Sequence, residues 1–170
     1  YEIMPSLVGS EMCIRDSVNT DGGHAPMLGG GLCTTLHDYM RFLDMIYHNG
    51  VFEEKQLLKP ETIHEMQANQ VGNAEVHPGE YVERALKKYH TGIYGLGEWR
   101  ELIDEATGEA YQISSPGWAG AYPWINKQDR VYGFFIAHVQ GSSQKEDGFS
   151  SFYGSPVISQ TVSNIISLKR

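Results

Sequence analysis

Apolar and polar positions alternate along the chain in two different rhythms. Leu36, Tyr39, Met40, Leu43, Ile46 and Tyr47 recur at i, i+3, i+4 and i+7, the spacing of one buried helix face. Thr35 with Asp38 three residues later reads as a capping box, and Asn49-Gly50 closes the helix. A short connector, residues 51–58, leads to Pro60, which suits a first helical position, and Ile63 and Met66 face inward on a second, shorter helix. Residues 69–92 show no period and read mostly as loop. The rhythm then changes to short β-like runs at residues 94–103 and 111–115, around a turn at Asp104 to Gly108. A further run at residues 120–126 turns at Lys127 to Arg130 into residues 131–139, dense in β-branched and aromatic side chains. After a polar loop at residues 141–151, Ser155-Pro156 opens a last helix whose expected buried stripe is Val157, Ile158, Thr161, Val162, Ile165 and Ile166. Helices, then an antiparallel meander, then a covering helix make the expected fold class α+β.

Composition narrows the function. The 170 residues suit one ordinary domain, and 41% apolar content allows a real core. A net charge of -8 disfavours binding to a phosphate backbone, so nucleic acid is not an expected partner. No apolar run approaches the ~20 residues of a membrane span. Cys13 and Cys33 are the two cysteines, too few for a disulfide framework or a cysteine zinc site. Residues 1–17, which include Ser6-Leu7-Val8-Gly9-Ser10-Glu11-Met12-Cys13-Ile14-Arg15-Asp16-Ser17, resemble translated adaptor sequence and lack the regions of a signal peptide. They are expected to stand outside the fold, leaving residues 18–170 as the domain.

Several patterns look like chemistry and fail on context. Seven histidines are scattered without metal spacing, and His64-Glu65 lacks the second histidine of a zinc helix. Gly29-Gly30-Gly31 is not followed by the lysine of a phosphate loop. Ser142-Ser143-Gln144-Lys145 fits Ser-x-x-Lys, but it falls in a polar loop with no helical turn to bring the amine beside the hydroxyl. Tyr47-His48-Asn49 fits Tyr-x-Asn, yet Tyr47 belongs to the apolar stripe of its helix.

An ordered set of motifs carries a resemblance. Gly29-Gly30-Gly31-Leu32 and the Thr35-capped helix, followed by Leu57-Leu58 and Pro60-Glu61-Thr62, resemble a stretch of serine beta-lactamase-related, penicillin-binding-protein-like hydrolases. Tyr94-Gly95-Leu96-Gly97 resembles the strand before their third active-site motif, and residues 115–126 the motif strand and its neighbour. The family comprises class C beta-lactamases, D-alanyl-D-alanine carboxypeptidases and esterases. The resemblance implies a C-terminal portion of a beta-lactamase/transpeptidase-like fold. It also implies acyl transfer to a serine with no metal and no cofactor, on a small ester, amide or peptide substrate. The family's Ser-x-x-Lys and Tyr-x-Asn motifs precede the Gly-Gly-Gly-Leu segment, so the chain is expected to be a fragment without its nucleophile and inactive alone. Family members are mostly periplasmic or secreted, and a cytoplasmic site is also compatible.

The third motif usually starts with lysine or histidine. Here it reads Ser115-Pro116-Gly117, which puts a hydroxyl at the cationic place. Pro116 has no N–H to offer, so the Trp118 backbone N–H is the expected oxyanion donor, with Gly117 opening space for substrate. Trp118, Tyr122 and Trp124 are candidates to line an acyl pocket, Tyr122 being assigned to substrate binding. Sheet packing is the alternative for all three and the favoured one for Trp124. Two other functions remain open: a non-catalytic module whose aromatics hold a peptide or glycan, and a dead homologue acting in protein interaction.

Overall fold

The computed structural model describes residues 34–74, 91–117, 120–136 and 151–169. The readings of residues 1–17, of Gly29 to Gly31, of Trp118 and of Ser142 to Lys145 lie outside them, as do both cysteines.

Helix α1 (Leu36–Tyr47) starts as its sequence dictates. The Thr35 hydroxyl accepts the Asp38 backbone N–H at 3.1 Å and donates to the Asp38 carboxylate at 2.8 Å. A cap of this kind contributes about 1 kcal/mol. At its end Asn49 and Gly50 take φ of 53° and 88°, and the Gly50 N–H returns to the Met45 carbonyl at 2.8 Å. A Cβ at Gly50 would collide with the Leu58 carbonyl, so only glycine fits there.

The connector expected between the helices is a small hairpin, β1 (Val51–Phe52) against β2 (Lys55–Gln56). Its turn residues, Glu53 and Glu54, both have positive φ. Helix α2 (Pro60–Gln67) follows with proline in its first turn and Ile63 buried.

The meander forms one sheet in the order β3 (Trp99–Ile103), β4 (Ala110–Ser114), β5 (Ala121–Asn126), β6 (Val131–Ile136), every pair antiparallel. The β3 strand is shorter than the run at residues 94–103 suggests, because residues 94–98 form a turn closed by a Tyr94–Trp99 bridge. The Asp104 side chain accepts the Ala106 and Thr107 N–H groups, and Gly108 supplies the positive φ that completes the turn into β4.

Helices cover both faces of the sheet. On one face α1 and α2 pack Leu43, Ile46 and Ile63 against Ile113 and Ile125. Tyr132 adds its ring to Tyr47 and its hydroxyl to the Asp44 carboxylate at 2.6 Å. The other face carries helix α3 (Ser151–Ser167) and is polar where it meets the strands. Glu101, Gln112, Ser114, Tyr122, Asn126 and Ser159 are all buried there.

Helix α3 corrects two expectations. It runs from Ser151 with Pro156 inside it, so Ser155-Pro156 does not open the helix. Its innermost side chains are Ser155, Ser159 and Ser163, with Ile158, Val162 and Ile166 half-buried beside them. Val157 and Ile165 face outward, Val157 with 67% of its surface exposed, and Thr161 is exposed as well. Small side chains let the helix lie close to the sheet, and Ser159 hydrogen-bonds there. The Ser159 hydroxyl accepts from Gln112 Nε2 and lies at hydrogen-bond distance from the Tyr122 hydroxyl oxygen, both at 3.0 Å.

Candidate active site

The segment that leaves β4 is held on both sides. The Ser115 N–H donates to the Pro123 carbonyl at 3.2 Å, the Gly117 N–H to the Ala121 carbonyl at 2.7 Å, and the Gly120 N–H to the Gly117 carbonyl at 2.9 Å. On the outer side the Ser115 hydroxyl donates to the Gly97 carbonyl at 3.1 Å. The 94–98 turn is itself anchored, with the Leu96 N–H on the Met66 carbonyl at 2.8 Å. A Cβ at Gly95 would strike that same carbonyl, which explains the glycine.

These two segments and α1 enclose a cavity of about 240 Å³, whose wall includes Tyr39, Phe42, Leu96, Glu98, Ser115 and Trp124. Aromatic and aliphatic walls with a few polar groups suit a small, mostly apolar ligand. Ser115 sits on its rim, exposed. Gly117 lies two residues further along. A Cβ placed on Gly117 would make ordinary contact with the Ala121 Cβ at 3.5 Å, and its φ is outside the positive range.

Tyr122 is placed elsewhere. It has no exposed surface, and its hydroxyl donates to the Glu101 carboxylate at 2.9 Å on the face covered by α3. Burial raises its pKa well above the phenolic value, with the Glu101 charge adding to the shift. Its ring stacks on Trp124 at 5.2 Å. Trp124 in turn fills the space above Gly133, where any Cβ would meet the indole. The sheet thus brings Ser115 to the cavity rim, leaves Gly117 two residues beyond that rim, and puts Tyr122 in the interior.

Glu98 is the polar group that sequence reasoning passed over. Its Oε1 is buried without a hydrogen-bond partner among the described residues. Burial lifts its pKa from 4.5 to about 7, against the pull of Lys127 and Arg100. The only hint in the sequence is a lone acid in an otherwise apolar and glycine-rich stretch, residues 93–99. A folded-state pKa above the unfolded one gives stability that is complete below pH 4.5 and is lost as the pH rises through about 7. Glu98→Gln, which cannot ionise, should flatten that decline. Melting temperatures measured from pH 4.5 to 8 check this, and a slope unchanged from wild type would exclude the assignment.

Among the described residues no helix is long and apolar enough to cross a membrane. No family model matches the sequence. No curated protein matches it either. Nine chains of solved structures do. One is a crystal structure of a "putative beta-lactamase from Bacteroides dorei DSM 17855", 76% identical, covering 88% of this chain with a TM-score of 0.78. This chain spans 45% of the length of that protein. The likeness supports a relationship to beta-lactamase-related proteins. The helices, meander and covering helix are consistent with the C-terminal portion of a beta-lactamase-like fold.

Proposed function

We propose that this chain carries the oxyanion side and part of the acyl-binding wall of a serine hydrolase, which cleaves an ester or amide through an acyl-enzyme. The observation that carries this reading is Gly117. Neither its φ nor crowding around it demands a glycine, in contrast to Gly50 and Gly95. An absent side chain two residues beyond the cavity rim, where the backbone does not need it absent, leaves room for something to approach that backbone. A substrate carbonyl is the natural candidate.

The amides of this turn narrow the donor. Pro116 has none, and that of Gly117 is committed to Ala121. In the proposed reaction the Trp118 N–H, outside the described residues, and an N–H from the nucleophile hold the developing oxyanion. Each such donor is worth about 3 kcal/mol in the transition state. Ser115 puts an uncharged hydroxyl, its proton donated to the Gly97 carbonyl, at the motif position and Glu98 faces the same cavity, so nothing among the described residues of this wall favours a carboxylate-bearing substrate. That supports neutral esters over beta-lactams. Tyr122 is left a packing role.

The nucleophile and its base belong, on this reading, to the part of the fold that the chain does not span. The 170-residue chain should therefore give no turnover of p-nitrophenyl esters or a chromogenic beta-lactam. Activity abolished by Ser142→Ala would show that Ser142-Ser143-Gln144-Lys145 is a working nucleophile and would overturn the assignment. The positive test is a chimera in which this chain replaces the matching 45% of the Bacteroides dorei protein. A folded chimera should hydrolyse p-nitrophenyl esters. A folded chimera without turnover, beside an active unmodified protein, would favour the dead-homologue reading.

A further inference from the structure

A second concavity lies at the opposite end of the strands from Ser115. It is a groove of about 310 Å³ between α2 and the β3–β4 hairpin, lined by His64, Gln67, Arg100, Glu109 and Lys127 among others. Its chemistry is one-sided. Arg100, only 4% exposed, donates from Nε to the Gln67 carbonyl at 3.0 Å and from its two terminal nitrogens to the Gly92 and Gly108 carbonyls. Lys127 Nζ donates to Gln67 Oε1. Neither cation has a carboxylate within ion-pair distance among the described residues. Both are held below their usual pKa by burial, with Glu98 and Glu109 pulling them back.

Gln67 is the independent clue. The residue is 7% exposed, its Oε1 is used by Lys127, and its Nε2 has no partner among the described residues. A buried donor left unmade is costly, and such groups in folded proteins ordinarily meet a partner. Among the described residues the groove thus holds two cations with no ion-pair partner and an unspent donor. Among the described lining residues Glu109 is the one carboxylate. The missing complement is an acceptor with negative charge.

We propose that this groove binds a small oxyanion, phosphate or carboxylate, on Lys127 Nζ and Gln67 Nε2 beside the Arg100 guanidinium. Charge-assisted hydrogen bonds of this type are the strong ones, and the planar guanidinium fixes a positive charge that never titrates away. Glu109 at the rim opposes the ligand and weakens it. The site stands apart from the proposed acyl-transfer site and does not depend on it.

The test is an NMR titration of the 170-residue chain with sodium phosphate, and separately with sodium acetate, at ionic strength held constant with sodium chloride. The Gln67 side-chain amide signal, assigned by its loss in Gln67→Met, is expected to shift and saturate. Saturation by phosphate alone, acetate alone or both supports the site and identifies the source. Lys127→Met should weaken binding at least about tenfold, and Glu109→Gln, an exposed change without risk to the fold, should tighten it. A Gln67 signal moved by neither anion, as when a water satisfies Nε2, overturns the proposal. So does a shift of equal affinity in wild type and Glu109→Gln.

Discussion

Glu101→Ala should destabilise the chain by about 3–5 kcal/mol, because three buried donors lose a shared acceptor at about 1–3 kcal/mol for each one left unsatisfied. The Glu101 carboxylate, buried where β3 bulges by one residue, accepts from Gln112 Nε2 at 2.6 Å, from the Ser114 hydroxyl and from the Tyr122 hydroxyl at 2.9 Å. Alanine removes the acceptor shared by all three donors and leaves a void on the face under α3. The Gln112 amide and the Tyr122 hydroxyl keep only Ser159, and Asn126 Nδ2, at 3.0 Å from Gln112 Oε1, loses a fixed partner. Tyr122→Phe removes one donor and spares the acceptor, so its cost should be nearer 1 kcal/mol. Urea unfolding followed by tryptophan fluorescence separates the two. Equal, small losses would mean that the network is incidental to stability. The same network reaches the candidate site through Ser114, the residue before Ser115, so the loss should extend to the β4 end.

What the sequence makes legible follows from which signals are local. Helix α1 has its cap, its apolar stripe and its terminal glycine within sixteen residues, and each appears where expected, except that Leu36 of the stripe is exposed and Met45, outside it, is buried. The β1–β2 hairpin is invisible because its turn uses Glu53-Glu54 at positive φ, where Asn-Gly is the usual signal. In α3 tertiary packing overrides two local cues. A proline normally marks a first turn, and serines normally count as outward, yet Ser155, Ser159 and Ser163 are buried, and Ser159 meets Gln112 of β4 and Tyr122 of β5. The same long-range dependence hides the groups that matter chemically. No pattern within residues 93–101 tells that Glu98 meets a cavity while Glu101 is sealed under a helix. Alternation along β5 puts Tyr122 and Trp124 on one face without saying which face is lined by a pocket. The order of motifs points to the fold, and it sets Ser115 and Gly117 just after β4, where the structure has them.

Gly117→Val carries the other large expected effect, and it bears on the central claim. If a substrate carbonyl approaches the Gly117 backbone, the added branches occupy that approach and displace the oxyanion from its donors. kcat/KM should fall by about 10²-fold or more, roughly 2.7 kcal/mol of transition-state stabilisation. The fold has little reason to resist. The new Cβ meets Ala121 at an ordinary 3.5 Å, and the hydrogen bonds of the turn are made by the backbone. The decisive measurement is ester hydrolysis by the chimera with and without Gly117→Val, alongside the two melting temperatures. The account predicts a hundredfold loss of kcat/KM with a melting temperature nearly unchanged. Retained hydrolysis, or a loss that only keeps pace with unfolding, would contradict it.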